Sequence, residues 1–561
     1  MFEQHRPTLE RAIEATRERT YWSPYPEIPS GSIYGETANA DGRAAFEALL
    51  GQRFPIDQPA TIDWAGEERS PFGFDLGVTY PVSDPSGLVA AAVAALPAWR
   101  DAGADARADV LLEILDRINR RSFEMGFATM HTTGQPFVMA FQAGGPHAQD
   151  RALEAVAYAY AEMTRHATTA HWEKPQGKRE PLRLEKTFRV VPRGVALLVG
   201  CNTFPNWNGY PGLFASLATG NPTIIKPHRR AVLPLALTVA IAREVLAEAG
   251  FDPNVVTLAA ERPGERLAST LATRPEVKLV DFTGSSAYGT WLEDNVRQAQ
   301  VYAEKSGVNS IVIDSTDDLD AMADNVAFSL ALYSGQMCTA PQNLLVPRDG
   351  ITVRGERVTL DEVGAAVAAA IERLTADPAR AVEVLGAIVS DDVVARLEAA
   401  PSLGRTILAS RSIEHPQFAE ARVRTPVLLG VDAADEAAYG EERFGPISFL
   451  VATDSTERSL EVMQRTATSR GAITAAVYST SEDVLRRADD VAAEAGVNIA
   501  ANLTGGIWIN QSAAFSDFHA TGANPAANAC LTDAAFVAGR FRVVESRRPS
   551  PPSPVAATPA A

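Results

Sequence analysis

Short apolar runs and longer amphipathic ones alternate along the middle of the chain. VPRGVALLVGC (191–201), PTIIKPH (222–228), NVVTLAA (254–260) and VKLVDFTGS (277–285) have the length and continuity of buried strands. NGYPGLFASLATGN (208–221), LPLALTVAIAREVLAEAG (233–250) and ERLASTLATRPE (265–276) separate them as helices. Strands and helices alternating at this pitch predict βαβ units and a parallel sheet, an α/β architecture. The pattern resumes after Ser310 with IVIDS, VGAAVAAAIERLTA, EVLGAIVS, ITAAVYS and IWINQS, which predicts a second α/β unit. Upstream, the first 20 or so residues read as a helix broken by YWSPYPEIPSGS (21–32). Residues 87–135 carry apolar positions three and four apart, and 152–170 reads as a further helix. HWEKPQGKREPLRLEKTFRV (171–190) alternates polar with apolar and is charged, which suits an exposed β-arm with a guarded edge; a flexible linker is the competing reading. SRRPSPPSPVAATPAA (546–561) has no packing potential and is expected to be a disordered tail.

Composition narrows the function more than the fold. A length of 561 residues allows several structural units, and 46% apolar with 21% charged residues is ordinary for a folded chain. The net charge of −18 argues against nucleic acid as a partner and against a polybasic membrane anchor. The N-terminal run has no apolar signal core, and no stretch of about 18 apolar residues appears, so a soluble cytoplasmic protein is expected. Three cysteines far apart (Cys201, Cys338, Cys530) give neither a disulfide framework nor a zinc ligand set, and no metal is expected. Only six residues are lysine, which makes Lys226 conspicuous.

Four segments gain force together: CNTFPNWNGYPGLF…ATGNPTIIKPH, with Asn202, Gly220, Asn221 and Lys226; FTGSSAYG at 282–289; AEKSGVNS with Glu304, followed by SGQMC ending at Cys338; and EERFGP at 441–446. Their order, and the 34 residues from Glu304 to Cys338, resemble the aldehyde dehydrogenase superfamily over about Phe72–Phe541. The resemblance implies a Rossmann-type cofactor domain (46–170 and 193–306), a second α/β catalytic domain (307–509) and a small β oligomerisation arm (171–192 and 510–545), after an N-terminal extension (1–45). A homodimer, or failing that a homotetramer, follows.

The chemistry explains the residue types. An sp2 aldehyde carbon gives up hydride only after a nucleophile has made it tetrahedral, and a thiolate is a strong nucleophile near neutral pH. The resemblance places Cys338 there; a small buried hydrophobe is the ordinary fate of a free cysteine. Preorganised donors must hold the adduct's oxyanion. The resemblance points to the Asn202 amide and the Cys338 backbone N–H. The chain reads Asn202-Thr203-Phe204-Pro205, one residue longer than the usual Asn-Phe-Pro, so Asn206 and Asn208 stay in competition. Glu304 matches the base that activates water against the thioester, and its presence favours hydrolysis over transfer to coenzyme A. A CoA-acylating enzyme, or a non-catalytic binding protein on the same fold, are the rivals.

Side chains cannot accept hydride, so a nicotinamide dinucleotide is required. The resemblance assigns Gly284 and Ser285 to the pyrophosphate, Gly264 to the adenosine end, Lys226 to the adenine-side ribose, and Glu442 and Phe444 to the nicotinamide ribose and ring. Arg229 stands where NAD-preferring members often carry Glu; a guanidinium there removes repulsion toward a 2′-phosphate, so NADP is expected over NAD. The segments around 200–228 and 304–315 are most similar to the ring-opening branch of phenylacetic acid degradation (PaaN), which implies an acyl-CoA semialdehyde substrate. Only about 20 residues follow Phe541, so a ring-opening hydratase is expected on another chain. Trp207, Tyr210, Phe515 and His519 are candidates for the substrate entrance, or equally for core or interface.

Overall fold

The computed structural model describes residues 3–511, 513–516, 518–531 and 533–550. Two α/β units and an arm make up the chain. In the first unit five parallel strands lie in the order Val256–Leu258, Thr223–Lys226, Val195–Val199, Val277–Thr283 and Gln300–Glu304. Every residue of Val195–Val199 is buried, as its unbroken apolar run requires of a strand covered on both faces. The strand order reverses beside Val195–Val199, and ligands of such sheets lie outside the carboxyl ends at that point. The tight turn before Thr223 uses Gly220 at φ +92°, and Asn221 locks it: its Oδ1 accepts from the N–H groups of Arg193 (2.8 Å) and Gly194 (3.1 Å).

The second unit holds a seven-stranded sheet in the order Arg405–Leu408, Val427–Asp432, Ile447–Thr453, Asn343–Pro347, Ser310–Ile313, Thr474–Tyr478 and Asn498–Ala501, parallel except for its first pair. IWINQS is not its edge strand. Trp508 stacks on Phe328 at 4.2 Å and Asn510 donates to the Ser329 carbonyl at 3.2 Å, so this segment covers a helix, and Asn498–Ala501 takes the edge (residue 512 lies outside the described residues). EVLGAIVS likewise forms the end of a helix, Pro378–Leu385, and then a turn at Gly386, φ +62°.

Upstream, the long helical run divides into Pro85–Asp101, Gly103–Arg120 and Ser122–Thr133, the first break falling at Gly103, φ +82°. A short helix, Phe137–Gly144, comes next, and then Pro146–Thr164 with proline in its first turn; the chain leaves it for a strand by Thr169. The N-terminal segment is no separate appendage: Leu9, Ala12 and Ala15 of the helix Arg6–Glu18 join the first unit's core. The helix Ala38–Leu49 runs across the expected boundary at 45 and buries Phe46 there.

The arm is a three-stranded antiparallel sheet of Thr169–Gln176, Arg179–Pro192 and Phe541–Pro549. Two expectations fail here. The described residues of 510–540 do not belong to it but fold back between the units: Phe515 packs into the first unit's core, and Ala520 and Ala527 pack with Ile473 of the second. The last strand continues through Pro549, and Ser550 N donates to the Arg183 carbonyl at 3.0 Å, because a partner strand satisfies the backbone that composition alone left without a role. Only 551–561 of the expected tail lie outside the described residues. No helix among the described residues is long and apolar enough to cross a membrane.

Candidate active site

A cleft of about 1010 Å3 opens at the carboxyl ends of the first sheet and faces the second unit. Strand ends deliver Cys201, Lys226, Thr283 and Glu304 to it; the second unit delivers Cys338, Glu442 and Phe444.

The loop bearing Cys338 is held rigidly. Tyr333, Ser334 and Gly335 all have left-handed backbone (φ +52°, +50° and +63°). Such a run persists only when its surroundings over-determine it. Ser334 Oγ donates to the carbonyls of Leu385 (3.0 Å) and Arg424 (3.2 Å), and Gln336 Oε1 accepts from Val389 N at 3.0 Å. Past the cysteine, Asn309 Nδ2 donates to the carbonyls of Cys338 (2.8 Å) and Ala340 (2.9 Å). Its Oδ1 accepts from the N–H groups of Ile473 (2.9 Å) and Thr474 (3.1 Å). A Cβ on Gly335 would stand 2.4 Å from the Gly445 carbonyl oxygen, so the cysteine loop and the EERFGP segment meet backbone to backbone.

Glu304 is 1% exposed, and its Oε1 accepts from Asn208 Nδ2 at 3.2 Å and contacts His519 Nε2 at 3.2 Å. That imidazole nitrogen also stands 3.6 Å from Cys338 Sγ. One ligand-type atom from each of Glu304, Cys338 and His519 lies within 4.8 Å of the others. Burial, with the Glu304 carboxylate beside it, pushes the Cys338 thiol well above its ordinary range. Burial likewise raises Cys201 to about 12.

The three asparagines now separate. Asn206 Nδ2 donates to the Gly144 carbonyl at 2.9 Å, away from the cleft, and Asn208 is committed to Glu304. Asn202 lines the cleft, its Oδ1 buried and without a partner among the described residues.

At the cleft's other end Lys226 pairs with Glu261, whose second oxygen accepts from Leu267 N at 2.9 Å. Arg229 lines the cleft but is paired with Glu67 at 2.5 Å. His228 is lowered to about 4 by burial and the neighbouring cations, so it carries no charge near neutrality. Ser285 caps the helix Ser286–Asn295 through Tyr288 N. Gly284 also lines the cleft, but its N–H donates to the Glu304 carbonyl at 3.0 Å and is not free for a ligand; an added Cβ would meet the Phe282 ring at 2.8 Å. Gly264 does not line the cleft; it occupies a left-handed turn, φ +81°, between Glu261 and Glu265, which do. Glu442 is half-buried beside Gly307 N, and burial raises its carboxyl; Phe444 lies on the same wall. Trp207 and His519 meet edge-on at 4.6 Å, whereas Tyr210 is core, its hydroxyl bonded to Thr238 at 2.7 Å.

Spacing gave no hint of Glu261 or of the role of Asn208. Glu261 follows its strand at the same sheet edge as Lys226, and a charged residue just past a buried strand was the available signal.

An α/β chain with a cysteine and a glutamate meeting at the carboxyl edge of a dinucleotide-type sheet is an arrangement suited to a dinucleotide-dependent oxidoreductase. The aldehyde dehydrogenase family model matches residues 82–523, and the chain belongs to that family. A solved structure from Burkholderia multivorans, described as an NAD-dependent aldehyde dehydrogenase, is 59% identical. It superposes with a TM-score of 0.97 over 98% of this chain and 100% of that one. The 1-pyrroline-5-carboxylate dehydrogenase R100A mutant of Thermus thermophilus shares the fold at 20% identity (TM-score 0.74, 95% and 99% covered). The N-succinylglutamate 5-semialdehyde dehydrogenase of Burkholderia thailandensis is 30% identical over 295 residues, 50% of this chain and 56% of that protein.

Proposed function

We propose that this chain oxidises an aldehyde to its carboxylic acid with a nicotinamide dinucleotide, through a covalent adduct on Cys338. The observation carrying this is the convergence of Cys338 Sγ and the Glu304 carboxylate, from different units, to within 4.8 Å. The donor set suits a dinucleotide: the Lys226–Glu261 pair for a ribose diol, Ser285 at a helix start for the pyrophosphate, and Glu442 with Phe444 for the nicotinamide end. When bound, the coenzyme supplies the hydride acceptor. The Cys338 thiolate attacks the aldehyde carbon, and the Asn202 amide and the Cys338 N–H hold the oxygen that gains the electron pair. After oxidation Glu304 takes a proton from water, which adds to the thioester; the carbon–sulfur bond breaks and the acid leaves.

NAD is the coenzyme this site favours, and the NADP expectation is revised. Arg229 is paired with Glu67, while Glu261 sets a carboxylate beside Lys226 that would accept from ribose hydroxyls and repel a 2′-phosphate. The description of the 59% identical structure as NAD-dependent supports this. The substrate is a semialdehyde, as the name of the B. thailandensis relative suggests. The coenzyme-A-linked kind released by aromatic ring opening is the particular one that the 200–228 and 304–315 segments favour. The arm, exposing Trp172, Leu182, Val543 and Val544, joins protomers in a homodimer.

Coenzyme reduction with simple aldehydes, free semialdehydes and CoA-linked semialdehydes, each with NAD and NADP, tests all of this. Turnover confined to simple aldehydes removes the substrate reading. A tenfold preference for NADP, about 1.4 kcal/mol, removes the coenzyme reading. Cys338→Ala with retained activity removes the nucleophile.

A further inference from the structure

We infer that His519 is a further catalytic residue, the base that takes the proton from the Cys338 thiol. This rests on the reading of Cys338 as nucleophile. One ring nitrogen is within reach of both reacting groups: Nε2 stands 3.6 Å from Sγ and 3.2 Å from Glu304 Oε1, with the His519 side chain 2% exposed.

The imidazole is placed by several independent elements. Trp207 meets its edge at 4.6 Å and 78°, and the Arg151 guanidinium lies over the Trp207 ring at 5.1 Å. Arg151 pairs with Glu154 at 2.9 Å, and Glu154 Oε1 accepts from Phe515 N, four residues before the histidine. Asn498 Nδ2 donates to the Phe518 carbonyl at 2.7 Å, and Phe515 and Ala520 on either side have left-handed backbone (φ +65° and +53°). Strained residues on both sides of one buried imidazole are the pattern of a placed functional group.

The thiol needs such a group. Burial and Glu304 both oppose its ionisation. Lys305, next to Glu304 in sequence, is spent on Glu293 at 2.8 Å, and Arg396 donates to the Phe444 carbonyl. A protonated imidazole supplies the missing counter-charge. In the step itself the S–H bond breaks, its proton goes to Nε2, and its electron pair forms the bond to the aldehyde carbon. The carbonyl π pair passes to oxygen. The imidazolium N–H then faces Glu304 Oε1 and returns its proton to the thiolate when the thioester is cleaved, leaving Glu304 to take the proton of the attacking water.

The experiment measures alkylation of Cys338 by iodoacetamide at pH 7, located by peptide mass, in the full chain and in His519→Gln and His519→Ala. Cys338→Ala is assayed for coenzyme reduction, and thermal unfolding reports folding. The rate constant is expected to fall about 10²-fold in both histidine variants and to recover at least about tenfold in His519→Ala when imidazole is added, a rescue that a merely structural role does not give. Alkylation at the wild-type rate, or a slow His519→Ala indifferent to imidazole, overturns the proposal; if one variant fails to fold, the other decides by the same rates. Cys338→Ala that still reduces coenzyme overturns the nucleophile reading instead, so the two failures are distinguishable.

Discussion

Arg540 offers a sharp test of how the arm is rooted to the first unit. Its side chain is wholly buried, and its guanidinium makes two bonds to Asp281, Nη1 to Oδ2 at 2.8 Å and Nη2 to Oδ1 at 2.6 Å. It also donates to Ser216 Oγ at 2.8 Å and to the Phe536 carbonyl at 3.1 Å, and lies over the rings of Tyr302 (4.2 Å) and Phe536 (4.1 Å). Arg540→Met roughly keeps the volume but leaves the Asp281 carboxylate buried without a counter-ion. Breaking a buried pair from one side costs about 3–5 kcal/mol, while replacing both partners by neutral groups costs far less. Urea unfolding, followed by circular dichroism, of wild type, Arg540→Met, Asp281→Asn and the double variant is therefore expected to show two heavily destabilised single variants. The double variant should regain at least about 2 kcal/mol over Arg540→Met. A single variant within about 1 kcal/mol of wild type, or a double variant as unstable as the sum of the singles, would refute the reasoning.

Asn309→Ala removes four backbone hydrogen bonds around the cysteine loop; a stability loss of about 2–4 kcal/mol and a marked drop in kcat at preserved fold are expected, and unchanged kcat would show that the loop holds itself. Gly335→Ala puts a Cβ 2.4 Å from the Gly445 carbonyl at a φ of +63°, so loss of turnover with at least about 1–3 kcal/mol of destabilisation is expected in activity and melting assays. Cys201, raised to about 12 by burial, should remain unlabelled by iodoacetamide at pH 8 in the native protein, and labelling as fast as an exposed thiol would contradict that upward shift.

Four strands of the first sheet were legible because each is a short apolar run, and a buried strand leaves that trace; the fifth, Gln300–Glu304, reads QVYAE and carries no such run. Asn343–Pro347, Val427–Asp432 and Ile447–Thr453 carry the same trace and were open to the same reading. Asn498–Ala501 was not, since a four-residue edge strand with one large apolar side chain has no periodicity to read. In the site, motif order brought forward Cys338, Glu304 and the Lys226 end. It failed where long-range pairing reassigns a residue: Arg229 looks available until Glu67, 162 positions earlier, is seen on it. His519 lay 215 positions from Glu304, in a segment expected in the arm, so its address was unreadable although its chemistry was not.

The seam between the two units has a practical consequence. Glu304 and Asn208 ride on one unit, Cys338 on the other, and His519 on the segment threaded between them, so a shift of the units by a fraction of an ångström disperses the reacting groups while every helix and strand survives. Turnover in this chain is a gauge of docking, and variants along the seam should be scored by rate first, since spectra of secondary structure would pass them as native.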